Sequence, residues 1–399
     1  MKNKKVNLND ICFFQEGPGV RKHQYCTKGV KLINVSNLVN GEIDLSNSNR
    51  YISQEEAYGR YKHFLIDEGD LIIASSGIKV EYLDKKIAFI KKENLPLCMN
   101  TSTIRFKVKN KNELDILYLS YFLKSKNFKN QISKLITGSA QLNFGGSHLK
   151  KINLFLPELN VQKKVSTLLL LIDNTIKDMQ RKLSILEQLT KSLFISMFFS
   201  GNKNFERKKL KENVTEMFIG PFGSDLKNEV FVEKEKGYCV VYEQKHAIKK
   251  RIDDEIRYIT KEKYEVLKRF RVDAGDIIVS CRGTIGKIFV LPSNSNFGII
   301  HPSLMKIKLK KEKYNNTFFE KLLEKYMQEN LYSIQGSSVK MAITAKKLGE
   351  EYFIIPPIEL QNKFAERIEK IEKLKFEIEK SIEIAQNLYD SLISKYFDN

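Results

Sequence analysis

The chain has 399 residues, of which 42% are apolar and 29% charged, and a formal net charge of +20 at neutral pH. This length and composition suit two ordinary soluble domains and a connecting element. No run of residues is apolar enough for a membrane span or a secretion signal, and the five scattered cysteines contain no CxxC pair that would indicate a disulfide scaffold or a thiolate zinc site. We expect a cytoplasmic protein with reduced thiols and no membrane partner.

The positive charge is concentrated in two stretches, 1–157 and 205–356, while the segments that follow each of them are nearly neutral. A basic surface that occurs twice is the electrostatic footprint expected of a protein that binds a polyanion. A lysine-rich background would give part of the same signal, so charge alone does not decide the partner.

The first predicted domain, 1–157, combines strands and helices. A Gly-Asp turn at 69–70 precedes a buried strand rich in β-branched residues, as turn chemistry and strand propensity favour. The other predicted features, in chain order, are a Gly-Pro-Gly loop at 17–19, a polar loop at 74–79, a strand at 100–105, a helix at 114–123, a Gly-Ser loop at 138–141 and a strand at 149–157 that ends at a proline.

A long helix is predicted within the next segment, 158–204. Apolar residues recur at steps of three and four from Val161 to Met197, and no proline or glycine interrupts them. This spacing predicts one apolar stripe on a helix of about 40 residues, on the order of 60 Å long. A polar linker at 201–204 leads into the following domain.

The rest of the chain repeats this order, with a second predicted domain at 205–356 and a second long helix at 357–399. Each long helix follows a strand and a proline, with a glutamine five positions after that proline: Gln162 after Pro157, and Gln361 after Pro356. The second domain has a Gly-Pro-Phe-Gly loop at 220–223, a Gly-Asp turn at 275–276, a polar loop at 280–287, a strand at 301–306, a helix at 317–327 and a Gly-Ser loop at 336–340.

A repeat of nearly half the chain length predicts the order domain, helix, domain, helix. The predicted fold class is α+β, with two globular α/β domains joined by two long helices and related by an internal pseudo-two-fold repeat. Because an apolar stripe on a helix must be buried, we expect the two helices to pack together as an antiparallel coiled coil. The alternative is that each helix packs on its own globular half.

Catalytic motifs are absent from the sequence. It contains no GxxxxGK[ST] phosphate loop, no GxGxxG fingerprint and no HExxH motif, and its five histidines are isolated. We therefore predict a non-enzymatic chain with no catalytic residue, no metal ligand and no cofactor of its own.

Taken together, these features resemble the specificity subunits of type I restriction–modification systems. The resemblance covers the whole chain and depends on the domain order, the twin Gly-Asp strands followed by Ser-Gly or Arg-Gly loops, and the twin Pro…Gln…Lys helix entries that end at Lys164 and Lys363. It implies that each globular half is a target recognition domain for one half of a bipartite, asymmetric site in double-stranded DNA, and that the long helices set the spacing.

The resemblance also implies protein partners. These would be two modification methyltransferase subunits and, through them, restriction/translocase subunits. S-adenosylmethionine, ATP and Mg²⁺ would be bound by those partners and not by this chain. Phe194 and Phe199 are candidates for methyltransferase contact or, alternatively, for core packing.

We predict that the DNA-facing side chains lie mainly in the polar loops. Small hydroxyl residues, glycines and basic side chains allow a backbone to approach phosphate and donate hydrogen bonds to it, although a plain hairpin loop has the same composition. The predicted residues are Arg21, Lys22, Ser75, Ser76, Lys79, Asn100 and Gln141 in the first half, and Lys249, Lys250, Arg251, Arg282, Thr284, Lys287, His301 and Lys340 in the second.

Two other functions remain open on the sequence. A stand-alone, repeat-built regulator that binds nucleic acid would show the same charge and repeat without enzymatic partners. A nuclease or methyltransferase that acts alone would need catalytic residues that the motifs do not provide.

Overall fold

The computed structural model describes residues 4–47, 49–136, 142–201, 203–252, 255–334 and 343–398. The chain forms two compact units. The first unit comprises Met1–Arg181 and Glu379–Asn399, and the second comprises Lys182–Ile378. Each unit therefore contains one globular half of the sequence and parts of both long helices.

The largest sheets of the first unit have four and three strands. Its strands are β1 (Lys4–Asn7), β2 (Cys12–Glu16), β3 (Val30–Ile33), β4 (Leu38–Val39), β5 (Glu42–Ile43), β6 (Tyr51–Ile52), β7 (Leu71–Ala74), β8 (Ser76–Ile78), β9 (Ile87–Phe89), β10 (Leu97–Met99), β11 (Thr103–Val108), β12 (Leu142–Asn143) and β13 (Asn153–Leu156). Its helices are α1 (Leu8–Ile11), α2 (Gln54–Tyr58), α3 (Ile116–Lys124), α4 (Lys126–Leu135), α5 (Gly146–Leu149) and the first part of α6 (Leu159–Phe198). An antiparallel sheet has the order β2-β11-β7-β9, and a second sheet has the order β10-β3-β6, with β10 parallel to β3.

The second unit repeats this plan. Its strands are β14 (Glu206–Lys209), β15 (Val214–Ile219), β16 (Cys239–Tyr242), β17 (Arg257–Ile259), β18 (Arg271–Val272), β19 (Ile277–Ser280), β20 (Ile288–Val290), β21 (Gly298–Ile300), β22 (Leu304–Leu309) and β23 (Tyr352–Ile355). Its helices are α7 (Gln244–Lys249), α8 (Lys261–Leu267), α9 (Asn316–Ile334), α10 (Ala345–Gly349) and the first part of α11 (Ile358–Phe397). The sheet orders are β15-β22-β19-β20 and β17-β16-β21-β18, and β16 and β21 are parallel.

The strand before each long helix pairs with the first strand of its own domain. β13 is antiparallel to β1 in the first unit, and β23 is antiparallel to β14 in the second. The β-branched runs that follow the Gly-Asp turns become β7 and β19, which are buried at every position. The predicted repeat of the globular halves is therefore confirmed at the level of strand order.

Both long helices contain 40 residues, and opposite ends of them meet within each unit. In the first unit, Val165 near the start of α6 and Phe397 at the end of α11 belong to one hydrophobic core. In the second unit, Phe194 near the end of α6 packs on Phe364 near the start of α11, with ring centroids 5.4 Å apart. The start of one helix thus lies with the end of the other in both units, which is the antiparallel arrangement predicted.

The helices also pack on the globular parts, as the alternative required. The Phe397 ring lies 4.6 Å from that of Tyr118 on α3, and the Phe198 ring lies 4.5 Å from that of Phe318 on α9. Phe194 is 4% exposed, so core packing is its role in this structure, whereas Phe199 is 39% exposed. The apolar stripes are therefore shared between helix–helix and helix–domain contacts.

The glutamine in each Pro…Gln motif is fully buried and makes the same three hydrogen bonds. The Gln162 amide nitrogen donates to the carbonyl oxygens of Pro157 and Glu113 at 2.8 and 2.9 Å, and its oxygen accepts from the Asp115 amide at 3.0 Å. A side chain with both a donor and an acceptor at its tip is needed there, because it is the hydrogen-bond partner of two backbone carbonyls and one backbone amide.

Gln361 repeats this geometry in the second unit. It donates to Pro356 and Lys313 at 2.7 and 2.9 Å and accepts from the Asn315 amide at 2.9 Å. The motif therefore joins the start of each long helix to the loop before α3 or α9.

The predicted strands at 100–105 and 301–306 are wrong at their beginnings. Turns at Asn100 and His301 separate β10 from β11 and β21 from β22. The Asn100 side-chain oxygen accepts from the Thr101 amide at 2.9 Å, and its carbonyl accepts from Thr103 at 3.0 Å. Such local bonds compete with strand pairing and stop the strand. The Gly-Ser loops at 138–141 and 336–340 lie outside the described residues.

Candidate nucleic-acid interface

In the second unit, the loops that follow β15, β16, β19 and β21 meet at one edge. The Gly220 amide donates to the Leu304 carbonyl at 3.0 Å, the Cys281 amide to Ser303 at 2.9 Å, and the His301 amide to Tyr242 at 2.8 Å. These bonds place the polar loop at 280–287, the turn at His301 and the start of α7 side by side.

The backbone of the loop that carries Arg282, Thr284 and Lys287 is fixed by hydrogen bonds from neighbouring side chains. Gln244, the first residue of α7, donates its side-chain amide to the carbonyls of Arg282 and Thr284 at 2.8 and 2.9 Å. The Ser280 hydroxyl donates to the Thr284 carbonyl at 2.6 Å and accepts from the Lys287 amide at 2.8 Å. The backbone is thereby fixed, and the Arg282, Thr284 and Lys287 side chains are exposed to solvent.

His301 lies next to this loop and is half-buried. Burial lowers the pKa of its imidazole; the carboxylate of Glu243 raises it, and the cations of Arg257 and Arg282 lower it further. The Ser303 amide donates to Nδ1 at 3.3 Å. A neutral ring with an accepting Nδ1 carries its proton on Nε2, so His301 has one donor left for a ligand.

Corresponding loops of the first unit meet in the same way. The Gly17 amide donates to the Thr103 carbonyl at 3.0 Å, and the Ser75 amide donates to Ser102 at 2.9 Å. The Asn100 side-chain amide donates to that of Asn34 at 2.7 Å. The loops after β2, β3, β7 and β10 are therefore neighbours, as their counterparts are in the second unit.

The predicted residues of the first half differ in exposure. Arg21, Lys22 and Lys79 are exposed, and Ser76 is half-buried. Ser75 and Asn100 are only 3% and 4% exposed, and their hydrogen bonds stay within the unit. These two residues position the loops here, and their direct contact with DNA stays a prediction. Gln141 lies outside the described residues, as does Lys340 in the second half.

The basic cluster at Lys249–Arg251 is not in the loop group around Arg282. It ends α7, whose first residue is at that group, so it lies about 9 Å further along the helix axis. The Lys250 ammonium is 2.5 Å from a Glu320 carboxylate oxygen and 2.6 Å from that of Glu324, both on α9. Burial would lower the pKa of Lys250, but the two carboxylates outweigh it and raise that pKa.

Two buried ion pairs at corresponding positions were missed by the sequence analysis. Arg105 on β11 lies 3.2 Å from Asp70, and Lys306 on β22 lies 3.0 Å from Asp276, with all four side chains at most 7% exposed. The aspartates belong to the Gly-Asp turns, so the basic residue at the matching place in the strands predicted at 100–105 and 301–306 was the available signal. Each pair fixes the strand that leads to the loops.

These loop groups have the features of binding surfaces. Within the part of the chain that the structure describes, no group of three or more His, Cys, Asp or Glu side chains could hold a metal ion. None of the described helices is long and apolar enough to cross a membrane. Paired loop groups with basic, hydroxyl and imidazole side chains on a duplicated scaffold define a duplicated nucleic-acid-recognition protein.

Comparison with known families agrees with this description. The profile described as "Type I restriction modification DNA specificity domain" matches residues 1–188 and 201–386. The chain belongs to this family, that of the specificity subunits of type I restriction–modification systems.

Curated relatives come from Methanocaldococcus jannaschii. The putative type I restriction enzyme MjaX specificity subunit is 26% identical over 66% of this chain and 63% of its own length. The type I restriction enzyme MjaVIII specificity subunit is 27% identical over 47% of this chain and 43% of its own length. The chain thus spans less than two thirds of the length of either relative.

Solved structures show the same fold. A crystal structure of a type I restriction–modification S subunit from M. genitalium matches with a TM-score of 0.65 and 15% identity, over 100% of this chain and 96% of that one. A chain from a study of complex assembly and conformational transition of the type I R-M system matches with a TM-score of 0.58, also at 15% identity, over 99% and 97% of the two chains. These likenesses confirm the fold class predicted above.

Proposed function

We propose that this chain recognises a bipartite, asymmetric sequence in double-stranded DNA, with each unit contacting one half-site. It would hold two modification methyltransferase subunits and, through them, restriction/translocase subunits, in the cytoplasm where the host DNA lies. S-adenosylmethionine, ATP and Mg²⁺ would belong to those partners. The chain would supply sequence selection and no bond-making step.

One observation carries this proposal: the two units share one scaffold but differ in the loops at the same edge. Ser75 and Ser76 follow β7 in the first unit, and Cys281 and Arg282 follow β19 at the matching positions of the second. His301 likewise occupies the turn where the first unit has Asn100. Different donors and acceptors at matched positions select different base edges, which predicts an asymmetric site.

Phosphate binding by the second unit can be tested at Arg282. Removing one phosphate contact lowers the slope of log K against log salt concentration by about 1. The full chain with Arg282→Ala should therefore bind its selected duplex more weakly and with a smaller salt dependence. Lys236→Ala is the matched control, because this exposed lysine precedes β16 and so lies at the opposite end of that strand from Gln244.

Equal affinities and slopes for both variants would remove Arg282 from the interface. Weaker binding with an unchanged slope and relaxed preference at one base pair would instead assign Arg282 to base recognition.

The proposed complex is tested separately by purification of the tagged chain from its host. Co-purification of a methyltransferase, with adenine or cytosine methylation at a split sequence in the genome, supports the proposal. A chain that binds DNA but retains no methyltransferase would favour the stand-alone regulator.

A further inference from the structure

One side chain at the edge of the second unit is unexplained by the fold. Phe222, in the Gly-Pro-Phe-Gly loop after β15, is 76% exposed. An isolated exposed apolar residue is ordinary on a protein surface. The position of this one, and the way its loop is held, distinguish it.

The Phe222 loop is anchored on both sides. Before it, Gly220 donates to Leu304, and a Cβ on Gly220 would lie 2.4 Å from the His301 carbonyl oxygen, so backbone approaches backbone directly. After it, the Asp225 amide donates to the Phe222 carbonyl at 2.9 Å, and Leu226 is buried in a hydrophobic core. Phe222 is thus exposed on an anchored turn that begins at Gly220, the residue whose backbone approaches that of His301.

The first unit shows that the fold does not need this ring. Its loop is anchored in the same manner, with Gly17 bonded to Thr103 and a Cβ on Gly17 only 2.2 Å from the Asn100 carbonyl oxygen. At the position that corresponds to Phe222 it has Gly19. A Cβ on Gly19 would meet no atom closer than 3.8 Å, so the backbone there does not require glycine. The phenylalanine is therefore a difference between the two loop groups and not a packing requirement.

We propose that Phe222 contacts the apolar surface of a DNA base and contributes to the sequence preference of the second unit; this inference rests on the proposed function. The tip of the loop, 221–223, has no charged side chain to bind phosphate. Phenylalanine contacts bases in two ways, against the methyl group of thymine in the major groove or as a wedge between base pairs in the minor groove. Both use the exposed ring.

The experiment compares the full chain, purified with the subunits that it retains, with its Phe222→Ala variant. The probe is a duplex selected by the wild-type chain from a randomised library. Phe222→Ala should weaken binding about 5- to 150-fold, which is the range for one mismatched base pair in a specific duplex site. Because phenylalanine is uncharged, the decrease should be the same at every salt concentration.

The matched control is Val266→Ala. Val266 lies on α8 and is 73% exposed. The strand before α8 ends at Ile259, and Ile259 pairs with Cys239 at the start of β16. The control removes exposed apolar area at the opposite end of the sheet and should leave affinity within twofold. Thermal unfolding of both variants should match the wild type, since both side chains are exposed.

Two modified probes separate the modes of contact. Replacing single thymines by uracil should weaken wild-type binding at one position, with no further loss in the variant, if the ring packs on a methyl group. A 2-aminopurine base should brighten with the wild-type chain and not with the variant if the ring is a wedge. Either result supports the proposal.

Binding by Phe222→Ala within twofold of the wild type would overturn the role of Phe222 and leave the proposed function standing. A decrease that disappears at high salt would also overturn it, because the contact would then be electrostatic. A wild-type chain that selects no duplex sequence would overturn both.

Discussion

The Gln361 side chain allows a direct test of how the long helices are attached. Gln361→Leu keeps a side chain of similar size but leaves two carbonyl oxygens and one amide, those of Pro356, Lys313 and Asn315, without their partner. Each buried group left unsatisfied costs about 1–3 kcal/mol, and the added apolar burial returns about 1–2 kcal/mol in total. We expect a net loss of about 2–4 kcal/mol from the free energy of unfolding of the second unit.

The measurement is native-state hydrogen exchange of the full chain, read separately in β22 and β11. Gln361→Leu should reduce protection in β22 and spare β11, and Gln162→Leu should do the reverse. Lys363→Ala, an exposed neighbour on the same helix, should change neither by more than about 0.5 kcal/mol. A loss below about 1 kcal/mol in β22 would refute the reasoning, as would an equal loss in both units.

Three further outcomes are expected in the second unit. Lys306→Met should destabilise it by about 3–5 kcal/mol in denaturant titrations, because Asp276 loses its buried partner. The double variant Lys306→Met, Asp276→Leu should recover much of that stability. Gly220→Ala should destabilise it and weaken DNA binding, since the Cβ would meet a backbone oxygen, whereas Gly223→Ala, whose Cβ would meet no atom within 4 Å, should match the wild type in stability. The hydrogen bond from Lys306 lowers the pKa of Glu216. The stabilisation that this ionised carboxylate provides is therefore complete above about pH 4.5 and is lost as the pH falls through the lowered pKa. Glu216→Gln should show a smaller drop in melting temperature than the wild type between about pH 5 and pH 3.

The long helices were predictable from the sequence, while the hydrogen bonds that attach them to the globular domains were not. The stripe from Val161 to Met197 predicted α6 because helical spacing persists over many turns, and the structure gives a helix of 40 residues. The role of Gln162 was not predictable, since its three partners include residues nearly 50 positions away. A sequence pattern shows that a residue recurs but not which backbone groups it reaches.

The candidate site was predictable as loops but not as individual side chains. The Gly-Asp turns located β7 and β19, which lead into the loops that carry Ser75 and Arg282, because turn chemistry is local. Burial is decided by tertiary contacts, so the sequence did not distinguish the enclosed Asn100 from the exposed Lys79. Nor did it show that Lys250 pairs with Glu320, a contact between helices 70 positions apart.

The division of the helices between the units has a consequence for biosynthesis. The core of the first unit includes Ile393 and Phe397, and the Asn127 side chain donates to the Phe397 carbonyl at 2.8 Å. The second unit is one uninterrupted stretch, Lys182–Ile378. Because the ribosome synthesises the chain from its amino end, every residue of the second unit is made before the last residues of the first unit's core. The first unit, although its globular half is translated earlier, should therefore complete its folding after the second.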